Sequence, residues 1–109
     1  MNTFKLEIVS ADGKIYENRI NALTAPGRLG SFGVWAQHAP LIASLASGII
    51  KVTEEDKREL FFVVHSGILE VNAQGEVLVL ADHVQTAKLL QEAKQLCRDA
   101  SWQQQTAYI

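Results

Sequence analysis

A single cysteine, Cys97, leaves this chain of 109 residues unable to form an internal disulfide and without the thiolate cluster of a zinc finger. That fits a reducing compartment. Basic residues are not in excess: ten Lys+Arg against twelve Asp+Glu give a formal net charge of −2. No basic field therefore concentrates the protein on phosphate backbones, and nucleic acid is not expected as a partner. No apolar run approaches the ~20 residues that a membrane-spanning helix needs. The N-terminal MNTFKLEIVS carries Glu7 where an export signal would need an unbroken apolar core. The chain is expected neither to be exported nor to cross a bilayer itself. What it does hold is apolar material: 48% hydrophobic and 20% charged residues is the composition of a chain that folds, and its length suits one domain.

Residues 3–82 read as short strands punctuated by turn residues, whereas 83–105 turns to Gln, Ala, Lys, Leu and Glu with no Gly or Pro. Phe4, Leu6 and Ile8 alternate with Lys5, Glu7 and Val9, as a strand with one inward face requires. Ala11-Asp12-Gly13 ends it, and a second strand over Lys14–Ala25 stops at Pro26-Gly27. Gly48–Thr53 and Leu60–Val64 flank the charged run Glu54–Glu59, a solvated hairpin connection. Gly67–Val71 and Glu76–Leu80 pair across Asn72–Gly75. Antiparallel strands with one apolar face bury it most simply against a second sheet, so a mainly β sandwich is expected. From Thr86 onward, Leu89, Ala93, Leu96 and Ala100 fall on one stripe of a single C-terminal helix. A lone helix of that length is marginal in water, so the stripe should pack on the sandwich or on another protein.

Candidate chemistry does not survive inspection. Gly27, Gly30 and Gly33 lack the Gly-Lys-Ser/Thr ending of a phosphate loop, and Pro40 follows where a helix would have to begin. They read instead as the turns of an exposed loop. His38, His65 and His83 share no ligand spacing, so no metal is expected. His65 and Ser66 are adjacent and would point to opposite faces of a strand, which rules out a nucleophile and its base. Ser66-Gly67 reads as a bend, Asp82 as a cap near the first turn of the helix, and Cys97 as a buried, inert thiol. What remains is surplus apolar material in the middle segment: Leu29, Phe32, Val34, Trp35, Leu41, Ile42 and Leu45. Part of it must be core. The rest, beside Arg28, suits a partner.

In that order of sandwich then helix, five stretches together resemble the epsilon subunit family of F-type ATP synthases. They are Leu6–Ser10, Gly30 with Phe32-Gly33-Val34, His38-Ala39-Pro40-Leu41, Ser66–Val71 and Val79–Asp82. The resemblance runs over roughly residues 3–96. It implies an N-terminal antiparallel β-sandwich of about ten strands over residues 1–83, then a short helical segment over 84–109. It also implies a non-catalytic rotor subunit that couples the gamma subunit to the membrane c ring, with no cofactor and no metal. Carried over by position, Ser10, His38, Ile42 and Ala43 would face gamma, and Arg28, Leu29, Gly30, Ser31 and Phe32 would meet the c ring. Membrane association would come only through the complex, at the cytoplasmic face of a bacterial inner membrane.

Four departures from the family pattern stand out. Ser31 occupies a position that is often acidic, and Ala36-Gln37 replaces a frequent Pro-Gly. Where some relatives bind ATP through a motif resembling Leu/Ile-Asp-x-x-Arg-Ala, this chain has Gln91 for the acid and Lys94 for the arginine. Lysine lacks the planar fork that arginine offers a phosphate, so no nucleotide site is expected. Only 27 residues follow Asp82, room for one helix where longer relatives carry two, so long-arm inhibition of ATP hydrolysis is expected to be absent or reduced. The competing reading is a free-standing β-sandwich module whose middle loop captures a small ligand or peptide.

Overall fold

The computed structural model describes residues 2–99. Nine strands precede one helix: β1 Phe4–Ser10, β2 Gly13–Gly27, β3 Gly30–Trp35, β4 Leu41–Leu45, β5 Gly48–Glu54, β6 Glu59–Val64, β7 Gly67–Val71, β8 Val77–Ala81, β9 Val84–Ala87 and α1 Leu90–Asp99. β2, 15 residues long, belongs to both layers. Its first half pairs with β1 as far as Ile20, and its second half pairs with β3 and β5. The change of partner coincides with a register shift between Ile20 and Ala22, where an extra residue bends the strand out of one sheet and into the other. One layer is therefore β4-β7-β8-β1 with the start of β2, and the other is β3, the end of β2, β5, β6 and β9. Counting β2 once in each layer, nine strands fill the positions of the expected ten. All pairings are antiparallel except β1 with β8, which run parallel.

The core lies between the layers because the strands alternate. Phe4, Leu6 and Ile8 of β1, Leu69 and Val71 of β7, and Val77 and Val79 of β8 face Leu23, Val34, Ile50, Val52, Phe62 and Val64. Each such side chain, once buried, contributes ~1.5–3 kcal/mol. The unbroken run Phe61-Phe62-Val63-Val64 is buried throughout, and the helix explains why. Phe62 and Val64 point into the core, whereas Phe61 and Val63 point outward under α1, packed with Ala87, Ala93, Ile49, Leu96 and Cys97. The stripe thus docks on the sandwich. Cys97 is half-buried at that contact.

The structure corrects the sequence reading of the C-terminal segment. Val84–Ala87, assigned above to the helical part, is a strand paired with β6 from Phe61↔Ala87 to Val64↔Val84. The reason is tertiary: β6 offers an open edge, and Val84 and Thr86 are β-branched. Asp82 lies eight residues before the helix and does not cap it. Glu92 folds back instead and accepts the Lys88 N–H at 3.3 Å, a side chain satisfying a backbone donor ahead of the first turn. Leu89 is exposed, so the stripe that packs on the sandwich is Ala93, buried, with Leu96 and Cys97 half-buried beside it. Ala100 lies outside the described residues. No helix among them is long and apolar enough to cross a membrane.

The middle segment also differs from the exposed loop read above, because β3 and β4 occupy most of it. Gly27 pairs with Gly30, leaving Arg28 and Leu29 as the whole turn. A Cβ on Gly27 would lie 2.6 Å from the Gly30 carbonyl oxygen and 2.9 Å from the Phe32 ring, so this glycine makes room for the return strand. Gly33 serves as a bare platform for the Trp35 ring. Ser66, at φ 46°, turns the chain from one layer to the other.

Candidate functional site

The hairpin of β2 and β3 ends in the two-residue turn Arg28-Leu29, with Leu29 fully exposed at its tip. Water is the wrong surrounding for such a side chain, and a rigid two-residue turn holds it there. The turn is tied to β4: the Arg28 N–H donates to the Ser44 carbonyl at 3.1 Å and the Ala46 N–H to the Pro26 carbonyl at 2.8 Å. Between the hairpin and β4 lies an open groove of 780 Å3, lined among others by Arg28, Ser31, Phe32, His38, Leu41 and Ile42.

All five residues assigned to a c-ring contact line this groove, and so do His38, Ile42 and Ala43 from the gamma set. The structure thus brings together eight of the nine. Within β4 the two branched from one another: Ile42 is 73% exposed on the outer face, and Ala43 points the other way, opposite Leu69. The His38 Nδ1–H donates to the Ala39 carbonyl at 2.7 Å, since a carbonyl only accepts.

Ser10 stands apart. It ends β1, is 9% exposed, and its Oγ accepts the Asp12 N–H at 3.1 Å, closing the turn after the strand. It lines a separate notch of 380 Å3 with Val9, Ser66, Ile68, Leu80 and Asp82. The two concavities share one sheet face. Ser44 pairs with Ile68, Ile68 with Leu80, and Leu80 with Val9, so these residues form a single outward row beside Ile42. Ile68 is 48% and Leu80 46% exposed. Sequence reasoning missed both. The signal was present: each occupies an outward position of a strand whose inward positions, Leu69 and Val79, are also apolar. A one-sided strand needs no such residues.

The other candidates hold structural positions. The Ser47 hydroxyl lies 3.2 Å from His65 Nδ1, and the His65 N–H donates to the His83 carbonyl at 3.1 Å, joining β6 to the approach of β9. Gln91 and Lys94 are exposed on the helix. Among the described residues, no group of three or more His, Cys, Asp or Glu side chains is placed to hold a metal ion.

Comparison with known proteins agrees with this architecture. Residues 3–92 match the family described as the ATP synthase delta/epsilon chain, beta-sandwich domain. An ATP synthase epsilon chain of Alkalilimnicola ehrlichii is 41% identical over 93 residues, covering 85% of this chain and 66% of that relative. The epsilon chain of a Sulfurovum species is 34% identical over 107 residues, covering 92% of this chain and 84% of the relative. Among solved structures, a chain of the Euglena gracilis mitochondrial ATP synthase superposes with a TM-score of 0.75 at 25% identity, over 79% of this chain and 54% of that one. A chain from the central stalk and c ring of the Tetrahymena thermophila enzyme shares the fold alone, with a TM-score of 0.64 at 15% identity over 75% of this chain and 65% of that one. On the extent of these matches and the sandwich they describe, the chain belongs to the delta/epsilon chain family of ATP synthases.

Proposed function

We propose that this chain is a non-catalytic central-stalk subunit of a rotary ATP synthase, coupling the gamma subunit to the membrane c ring while ion flow drives synthesis. The observation that carries this reading is the fixed hairpin tip: Leu29 is fully exposed beside Arg28, over a groove that Ile42 continues onto the outer sheet face. Exposed apolar side chains on rigid strands are the material of an interface core. Family membership says which assembly would cover them. The hairpin residues Arg28 to Phe32 then meet the c ring, while Ile42, Ile68 and Leu80 meet gamma, with His38 and Ala43 at the junction and Ser10 at the far margin. The chain would sit at the cytoplasmic face of a bacterial inner membrane, held there through its partners.

The described groups support no reaction at this surface, since the groove offers Arg28, His38 and hydroxyls but no nucleophile held against a base. Lys94 stands where the phosphate fork of the resembled motif would be needed, so nucleotide binding forms no part of the proposal. Co-purification tests the reading: an affinity-tagged full chain, expressed in its own organism, should recover gamma and c subunits from solubilised membranes. Recovery as a free monomer with a small molecule in the groove would replace this reading with that of a ligand-binding module.

A further inference from the structure

One residue beyond Val64↔Val84, the last pair of β6 with β9, the ladder gains a further rung: the His65 N–H donates to the His83 carbonyl at 3.1 Å. Opposite residues of an antiparallel pair carry their side chains on the same face. The two imidazoles accordingly meet there, with ring centroids 6.2 Å apart. Zn–N bonds of ~2.0–2.1 Å put the centroids of two histidines on one ion about 5–6.5 Å apart, depending on the angle at the metal. The observed spacing falls at the wide end of that span, and His83 is exposed, so a modest turn of its ring narrows it. The Ser47 hydroxyl, from the connection between β4 and β5, lies 3.2 Å from His65 Nδ1. An outer hydrogen bond of this kind orients the ring of a metal-bound histidine. Spacing along the chain gave no ligand pattern for these residues; the fold supplies one.

We propose that His65 and His83 form a two-imidazole chelate for a divalent transition-metal ion of the zinc class. Imidazole suits zinc, copper and nickel, whereas magnesium and calcium take oxygen ligands. Among the described residues no third His, Cys, Asp or Glu joins the pair, so water completes the coordination. Structural zinc sites are closed by four protein ligands; with two, the ion is exchangeable. Its effect follows from its place in the fold. His83 stands immediately before β9, whose pairing with β6 buries Ala87 alone among the four residues of the strand. An ion shared with His65 staples the start of that weakly held edge strand, and β9 leads directly into α1. The site thus gives a metal ion control over how firmly the C-terminal segment is held.

The test titrates the untagged full chain with zinc chloride by calorimetry, beside His65→Gln, His83→Gln, the double variant, Ser47→Ala and Cys97→Ser. One zinc should bind per wild-type chain and raise its melting temperature, while magnesium chloride should do neither. Each single histidine variant should weaken zinc by roughly tenfold or more, and the double variant should lose little beyond either, since a chelate fails once one arm is missing. Ser47→Ala should weaken it by up to about tenfold. Hydrogen exchange at the amides of residues 84–86 should slow with zinc in the wild type and stay unchanged in the double variant. Losses in the two single variants that simply add up in the double would overturn the chelate, because they describe two independent ligands. Full affinity in the double variant, with loss in Cys97→Ser, would move the site to the thiol. Zinc that binds as expected without slowing exchange at β9 would overturn the staple and leave the chelate standing.

Discussion

Tyr16 ties the two layers together near the point where β2 passes between them. Its ring lies against Phe62, with centroids 5.0 Å apart, and its hydroxyl donates to Glu54 on β5 at 2.6 Å. Burial first, and the Glu54 carboxylate second, raise the hydroxyl well above its ordinary value of 10.0. The sign of the linkage follows. Because the folded chain holds this proton more tightly than the unfolded chain, the stabilisation is complete below pH 10 and is lost as pH rises through the folded value. Tyr16→Phe keeps the ring contact and removes the hydrogen bond, so it should cost about 1 kcal/mol at neutral pH. It should also flatten the fall in melting temperature above pH 10 relative to the wild type, as thermal unfolding across that range would show. Neither the tie nor its partner was legible in sequence, because Tyr16 and Glu54 lie 38 residues apart. Gly67 shows the same limit. It reads as half of a bend, yet a Cβ there would sit 2.2 Å from the Leu80 carbonyl oxygen, a constraint set entirely by the neighbouring strand.

At the scale of elements, local pattern was a good guide wherever an element is held by its own periodicity. The alternation of β1 and the pairing of β7 with β8 were readable, because inward and outward positions differ along the chain. Elements held by neighbours were not. β9 has one buried residue, Ala87, and exists because β6 offers an edge. β3 was hidden by the glycines in and before it, which local rules assign to loops, although here Gly27 at the end of β2 makes room for the return strand and Gly33 for the Trp35 ring. The boundary at β9 bears directly on any test of inhibition by the C-terminal segment. Removing residues 90–109 uncovers Phe61 and Val63 but keeps all four β6–β9 pairs, whereas removing 86–109 also takes away Thr86 and Ala87. The shorter deletion should leave a folded, assembly-competent subunit and, on the expectation that long-arm inhibition is absent or reduced, change ATP hydrolysis by the assembled enzyme less than about twofold. The longer one should lower the melting temperature further by cutting the edge strand. A several-fold rise in hydrolysis after the shorter deletion would show that the helix inhibits.

For the molecule as a whole, two groups among the exposed apolar residues bear on assembly, and their separation is a matter of geometry. Leu29 stands at the hairpin tip, at one end of the sandwich, while Ile68 and Leu80 lie on the outer face of β7 and β8. A subunit gripping two partners at once needs such a division, since one patch cannot serve both without competition. Ile68 and Leu80 carry no core packing on their exposed sides, so Ile68→Asp with Leu80→Asp should leave melting within about 1 kcal/mol of the wild type, as expected of surface positions. The same pair should sever co-purification with gamma, because charge placed in an apolar interface is left without a partner when buried. Leu29→Asp should do the reverse, retaining gamma and losing the c ring. Gel filtration of the reconstituted gamma complex and pull-down on c rings, run on both variants, separate these outcomes. If either variant loses both partners while still folding, the two patches act as one continuous interface through Ile42, the residue that borders the groove on one side and the outer row on the other.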